Sequence, residues 1–137
     1  MPWALLDTNV YIGHWERGLY EATLADVRQA FVVRHSAVVL SELRRGARTR
    51  KAQSVVENLL QRATVVWVPL ASDWWEAGRL IRELGDSRSW DRSKRRDFQN
   101  DALIALTARQ HGATVVTANR AEFELLSQEL GVSILPV

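Results

Sequence analysis

Trp3-Ala4-Leu5-Leu6-Asp7-Thr8-Asn9 is the stretch that decides how the rest of the chain is read. Four apolar residues run without in/out alternation and stop at an acid. A strand buried on both faces reads this way, as in parallel sheets covered by helices. Four further short runs of the same kind stand at Ala37–Leu40, Val65–Val68, Thr114–Thr117 and Val132–Leu135. Between them lie helical stripes: Tyr20, Leu24, Val27 and Phe31; Val55, Val56, Leu59, Leu60 and Ala63; Trp74, Ala77, Ile81 and Leu84; a longer one from Phe98 to Gln110; and Phe123, Leu126 and Leu130. Gly46, Gly85, Gly112 and Gly131 fall where helices are expected to stop. Alternating strands and helices predict an α/β domain with a central, mostly parallel sheet of four to five strands and right-handed crossovers. Room for more than one helix separates the first strand from the second.

At 137 residues the chain is read as one domain, 1–137, with enough length to bury a core. Its 47% hydrophobic and 25% charged residues are a globular composition. Cysteine is absent, which excludes disulfides, thiolate metal sites and a cysteine nucleophile, and fits a reducing, cytoplasmic setting. The apolar run at the start is too short for a signal peptide. No apolar stretch approaches the ~20 residues of a membrane span, so no membrane partner is expected. Net charge is only +2, but cations cluster. Arg44, Arg45, Arg48, Arg50 and Lys51 form one basic run, and Arg88, Arg92, Lys94, Arg95 and Arg96 a second. Such runs are either solvated faces or phosphate contacts. The candidates for the latter are Arg44, Arg45, Arg48, Arg95 and Arg96.

In open parallel sheets the site lies beyond the carboxyl ends of the strands. The first run ends in Asp7-Thr8-Asn9, the second is followed by Ser41-Glu42-Leu43, and the fourth ends in Thr117-Ala118-Asn119. Asp101 arrives from a helix. At about 100° per residue it shares a face with Asp97, Ile104 and Ala108, and the apolar continuation turns that face inward. Inward carboxylates near one another repel, so they either stay protonated or are neutralised by a cation. Hard oxygen ligands select Mg²⁺, Mn²⁺ or Ca²⁺ over zinc. A carboxylate cluster holding Mg²⁺ suits phosphodiester hydrolysis, in which the ion activates water and a second ion can stabilise the leaving oxygen. Each residue also has a local explanation: Asp7 as a helix cap, Glu42 as a first-turn acid, Asp101 as a salt-bridged surface acid, Asn119 as turn chemistry. Their convergence on one edge favours the site.

Other chemistries fare worse. His14, His35 and His111 form no triad pattern, and no glycine-rich phosphate loop follows a strand. A phosphohydrolase using Asp7 as nucleophile would want an acid where Asn9 stands and a lysine late in the chain, and none follows Lys94. Trp67, Trp74 and Trp75 are expected in the core or on a helix face. Trp90 is a candidate for base stacking and Trp15 for a partner contact.

Four motifs in order carry a family resemblance: Leu5-Leu6-Asp7-Thr8-Asn9, Ser41-Glu42-Leu43-Arg44-Arg45-Gly46, Asn100-Asp101-Ala102-Leu103-Ile104-Ala105, and Val116-Thr117-Ala118-Asn119 leading to Glu122-Phe123. Over nearly the whole chain the sequence resembles PIN-domain nucleases, and within them the VapC-type toxins of toxin–antitoxin pairs. The resemblance implies a three-layer α/β/α fold and endonucleolytic cleavage of RNA, often tRNA or rRNA. It implies Mg²⁺ or Mn²⁺ as cofactor, a homodimer and a cognate antitoxin. Asp7, Glu42 and Asp101 sit at the family's three acidic positions, with Asp7 and Asp101 implied as metal ligands. Thr8 and Thr117 match positions that support those acids through hydrogen bonds. Asn119 departs from the pattern, since many relatives carry a fourth Asp there. Glu122, at a common acidic position ahead of Phe123, and Asp97, one turn before Asp101, are the candidates to compensate. The alternative is a degenerate nuclease fold that binds RNA or a partner without cutting.

Overall fold

The computed structural model describes residues 1–137. In chain order the elements are β1 (Trp3–Leu6), α1 (Thr8–Arg17), α2 (Glu21–Ala30), β2 (Val32–Ser36), α3 (Ala37–Gly46), α4 (Arg50–Arg62), β3 (Val66–Trp67), α5 (Ala71–Arg88), α6 (Arg92–His111), β4 (Thr114–Thr117), α7 (Arg120–Leu130) and β5 (Ser133–Pro136). The five strands form one sheet in the order β3-β2-β1-β4-β5, and every pairing is parallel. Leu5 sits opposite Arg34 of β2 on one side and Val115 of β4 on the other.

This strand order fixes where a ligand belongs. From β1 the chain steps outward to β2 and β3, then returns across the sheet to β4 and steps the other way to β5. The reversal lies between β1 and β4, and a crevice opens at the carboxyl ends of strands where the order reverses. Right-handed crossovers place α1 to α4 on one face and α5 to α7 on the other. Packing agrees: α1 meets α3 and α3 meets α4, while α5 meets α6 and α6 meets α7. The result is three layers, α/β/α. The helix α3 also touches α6, so the two helical layers meet.

The core is the sheet with the inner faces of these helices. Leu5, Val115, Val116, Leu103, Ile104, Phe98 and Phe123 are all buried. Burying one such side chain contributes roughly 1.5–3 kcal/mol. The helix stops expected at Gly112 and Gly131 are real, with φ of 65° and 71° that a side chain rarely adopts.

The second strand is not where the apolar pattern places it. Ala37–Leu40 is the first turn of α3, and β2 is the preceding segment Val32–Ser36. Four apolar residues do not distinguish strand from buried helix. The cap decides: Ser36 Oγ accepts from the amides of Val38 and Val39 at 3.1 and 3.4 Å, and Val39, Leu40 and Leu43 then bury one helical face. Gly85 does not end a helix either. It lies inside α5, where a Cβ would stand 2.8 Å from the Arg95 guanidinium carbon. Trp74 and Trp75 are exposed, whereas Trp67 is buried and stacks on His111 with centroids 3.9 Å apart.

Candidate active site

Asp7 stands at the switch point. It follows β1 directly and caps α1, with its Oδ1 accepting from the Thr8 amide at 2.8 Å. Its Oδ2 accepts from the Thr117 hydroxyl at the end of β4, also at 2.8 Å. Its own amide continues the sheet by donating to Val116 O. The carboxylate is therefore clamped between the two central strands and is only 3% exposed. Thr117 is fully buried, and its hydroxyl oxygen also accepts from the Asn119 amide at 2.9 Å, so it sets both Asp7 and the backbone of Asn119. Asn9 completes the clamp: its Oδ1 accepts from the Ala118 amide at 3.1 Å. Sequence reasoning gave Asn9 no role. Its place two residues past the strand-ending acid is the one signal for it.

Glu42 reaches the same edge from α3, not from a strand end as the apolar pattern implies. Because α3 begins where β2 stops, its second turn still overhangs the carboxyl ends. The Thr8 hydroxyl donates to Glu42 Oε1 at 2.9 Å. Asp101 enters from α6 on the opposite face of the sheet, and Asn119 Nδ2 donates to its Oδ2 at 3.2 Å. Asp7, Thr8, Glu42, Asp101, Thr117 and Asn119 are thus linked side chain to side chain or through one shared neighbour.

The electrostatics match that crowding. Asp101 has its carboxyl pushed up to about 8, first by burial, then by the charges of Asp7, Glu42 and Glu122, with Lys94 pulling the other way. Burial also raises Asp7, with a smaller push from Glu42, while the Thr117 and Thr8 hydrogen bonds oppose it. Burial and mutual repulsion thus both disfavour full ionisation of the acids gathered here.

The model of the PIN domain family matches residues 4–127. The chain belongs to the PIN domain family. No curated protein sequence matches it. Among solved structures, this PIN domain is similar to VapBC2 from Rickettsia felis bound to a DNA fragment from their promoter, at TM-score 0.72 and 22% identity, covering 98% of each chain. It is similar to VapBC-1 from nontypeable Haemophilus influenzae at TM-score 0.72 and 20% identity, covering 98% of this chain and 97% of that one. DNA-bound VapBC from Salmonella typhimurium gives TM-score 0.68 and 25% identity, covering 99% of this chain and 98% of that one.

The remaining residues of interest separate cleanly in this PIN domain. Asp97 does not face inward with Asp101; its side chain is 73% exposed, near Arg96 at 3.6 Å. Glu122 is not free, because it is paired with Lys94. Arg45, Arg96, Asp97, Gln99 and Asn100 line a wholly polar groove of about 540 Å³ together with Glu42. Arg44 faces a different pocket, with Gln53 and Glu57, and Arg48 is simply exposed. Arg95 is a structural residue: its guanidinium donates to the Trp90 carbonyl and Asp86 at 3.0 Å each, against Gly85. Trp90 packs on Phe98 with centroids 4.8 Å apart, so it serves the core more than a stacked base.

No three His, Cys, Asp or Glu side chains converge closely enough to ligate one ion together. A hard ion that keeps several waters needs only one or two carboxylates. Asp7 and Asp101 fit that requirement. Each Asp7 oxygen already accepts one hydrogen bond, and a carboxylate has about four acceptor sites, so room for a cation remains.

Proposed function

We propose that this PIN domain is a Mg²⁺- or Mn²⁺-dependent endoribonuclease, the toxin of a toxin–antitoxin pair acting in the cytoplasm. The observation that carries the reading is the set of mutually repelling carboxylates, Asp7, Glu42 and Asp101, gathered at the topological switch point with no basic side chain of the protein within salt-bridge distance of any of them. Asp7 and Asp101 would hold the ion, which when bound supplies an acidified water and positive charge for the phosphate. Thr117 and the Thr8 amide fix the orientation of the Asp7 carboxylate. Thr8 steers Glu42 toward the same edge, where a carboxylate can orient water or accept its proton. Arg45 and Arg96 flank Glu42 along the polar groove and suit the phosphates of a bound strand.

A partner antitoxin is supported by the relatives, which are VapBC complexes. It is also supported by an apolar groove lined by Ile12, Trp15, Leu43, Ala47, Val55 and Val56 between α1, α3 and α4. Trp15 is exposed there, as a partner contact requires. The exposed Val65, Val68, Leu70, Trp74 and Trp75 around the β3 edge support self-association into a homodimer.

One observation favours a second reading. Three acids do not converge on one point, as expected of a nuclease fold that binds RNA or a partner without cutting. Incubating the purified chain with total RNA in Mg²⁺ or Mn²⁺, beside Asp7→Asn, separates the two. The nuclease reading expects cleavage that EDTA and Asp7→Asn abolish. Intact RNA with the wild type supports the binding-only reading, and equal cleavage by Asp7→Asn refutes the role of the acids.

A further inference from the structure

A small cavity beside the apolar groove carries a charge pattern that neither the acids nor the groove accounts for. It encloses about 150 Å³ between α1, α2 and α4, over the end of β1. Leu6, Val10, Leu24 and Leu59 give it apolar walls, but Tyr11, His14, Arg28 and Arg62 line it too, and no acid does. Arg28 and Arg62 enter no ion pair. His14 donates from Nδ1 to the Leu19 carbonyl at 3.0 Å, which leaves Nε2 without a partner. Tyr11 stands out. It is only 7% exposed, and a phenol buried to that degree ordinarily finds a hydrogen-bond partner. Its ring packs on Trp15 with centroids 5.2 Å apart, yet its hydroxyl is in no hydrogen bond of the chain. No side-chain polar atom is both sealed from solvent and unpartnered, so this hydroxyl opens onto space, and the cavity is the space Tyr11 lines. Burial keeps the hydroxyl protonated, with Arg28 the one charge acting against that.

Such a lining lacks an anion. Guanidinium and hydroxyl donors make their strongest hydrogen bonds to an ionised acceptor such as a carboxylate. Size narrows the source: small-molecule sites run to roughly 300–1,000 Å³, and this cavity has room for a single side chain. The walls narrow it further. A backbone phosphate of RNA comes tethered to hydrated sugars, whereas the carboxylate of Glu or Asp comes on methylene groups that can lie against Leu24 and Leu59. Trp15 and Val55 line both this cavity and the groove of Ile12, Leu43 and Val56, so one segment can fill both. We propose that the cavity is a carboxylate-binding site: it takes a Glu or Asp side chain from the partner protein segment whose apolar residues occupy the groove, with Tyr11, Arg28 and Arg62 as its ligands. The charge gives the segment a register, which apolar contact alone does not, and rejects a segment with a cation at that place.

The inference deepens the partner reading above and is independent of the nuclease reading. A displayed library of random peptides is selected against the full-length wild type, and the enriched peptides are synthesised. They are expected to combine apolar residues with one Asp or Glu. Changing that acid to its amide should weaken binding by about tenfold or more, read by fluorescence anisotropy. When Arg28→Gln is combined with Arg62→Gln, the acidic and amide peptides should bind alike while circular dichroism stays native. Tyr11→Phe should weaken the acidic peptide several-fold, and Arg28→Lys with Arg62→Lys should keep the preference for the acid. Enriched peptides that carry no acid, or an acid preference untouched by both the double Gln variant and Tyr11→Phe, overturn the carboxylate site while the groove stands. No enriched peptide overturns both. Displacement of the acidic peptide by total RNA in EDTA assigns these cations to a nucleic acid and overturns the proposal as well.

Discussion

Asp101→Asn should make the metal-free protein more stable, although it removes a residue the site depends on. An ordinary aspartate titrates at 3.8, and Asp101 is pushed up to about 8. The folded state thus keeps a proton that the unfolded chain has already released. Folding takes up that proton between about pH 4 and pH 8, so stability falls as pH rises through this window. At pH 9 the carboxylate is charged in both states and its full cost is present. Four decades of proton affinity at 1.36 kcal/mol each would cost about 5 kcal/mol. Asp101 is not sealed from water, and solvent screening leaves roughly 2 kcal/mol of this. Asn keeps the shape and an oxygen that accepts from Asn119 Nδ2. The variant should then melt about 6–8 °C higher than wild type in EDTA at pH 9. Addition of Mn²⁺ should raise the melting temperature of wild type by mass action and leave the variant unmoved. Differential scanning fluorimetry across pH 5–9, with EDTA and with Mn²⁺, reads all of this. A variant that melts lower than wild type in EDTA at pH 9, or a metal-free wild type that gains stability from pH 5 to pH 8, refutes the reasoning.

Thr117 and the arginines of α3 and α6 give three further outcomes. Thr117→Val removes the hydroxyl that donates to Asp7 and accepts from Asn119. It should cost roughly 1–3 kcal/mol in denaturant melts and weaken Mn²⁺ binding as well, because buried partners lose their hydrogen bonds. Unchanged Mn²⁺ affinity would separate Thr117 from the site. Arg45→Ala and Arg96→Ala should each lower RNA affinity and flatten its logarithmic salt dependence by about 0.7, measured with Asp7→Asn to prevent cutting. Arg95→Ala should instead lower stability and leave the salt slope alone, and a slope change with Arg95→Ala would contradict its structural assignment.

The fold was legible where a short apolar run meets an unmistakable stop. Leu6-Asp7 and Thr117-Ala118 mark the ends of β1 and β4, and the switch point follows from them. The second strand was obscured because Arg34 and His35 interrupt its apolar pattern, while Val38 and Val39, both β-branched, imitate a strand inside α3. The helix start is set by one hydroxyl, Ser36 Oγ, whose bonds are not visible in a hydrophobic pattern. Glu42 lies near the strand ends although it stands on α3 and not after a strand, because α3 starts where β2 finishes. Asp97 shares a side of the helical wheel with Asp101, but one turn nearer the start of α6 that side is open to solvent. The Lys94–Glu122 pair was hidden by its sequence separation, as pairing between α6 and α7 is set by packing alone. Arg95 was indistinguishable from its basic neighbours until Asp86 and the space above Gly85 came into view.

The central claim is that these acids hold an ion that activates water against an RNA phosphodiester. The chemistry of the cut ends tests it most directly. A labelled RNA is incubated with the chain in Mn²⁺, and the products are resolved by their terminal groups. Attack by water, with the 3′ oxygen as leaving group, yields a 5′-phosphate and a 3′-hydroxyl, and the cleavage stops in EDTA and with Asp7→Asn. A 2′,3′-cyclic phosphate with a 5′-hydroxyl, formed equally well in EDTA, would mean that the RNA's own 2′-hydroxyl is the nucleophile, and would contradict the account.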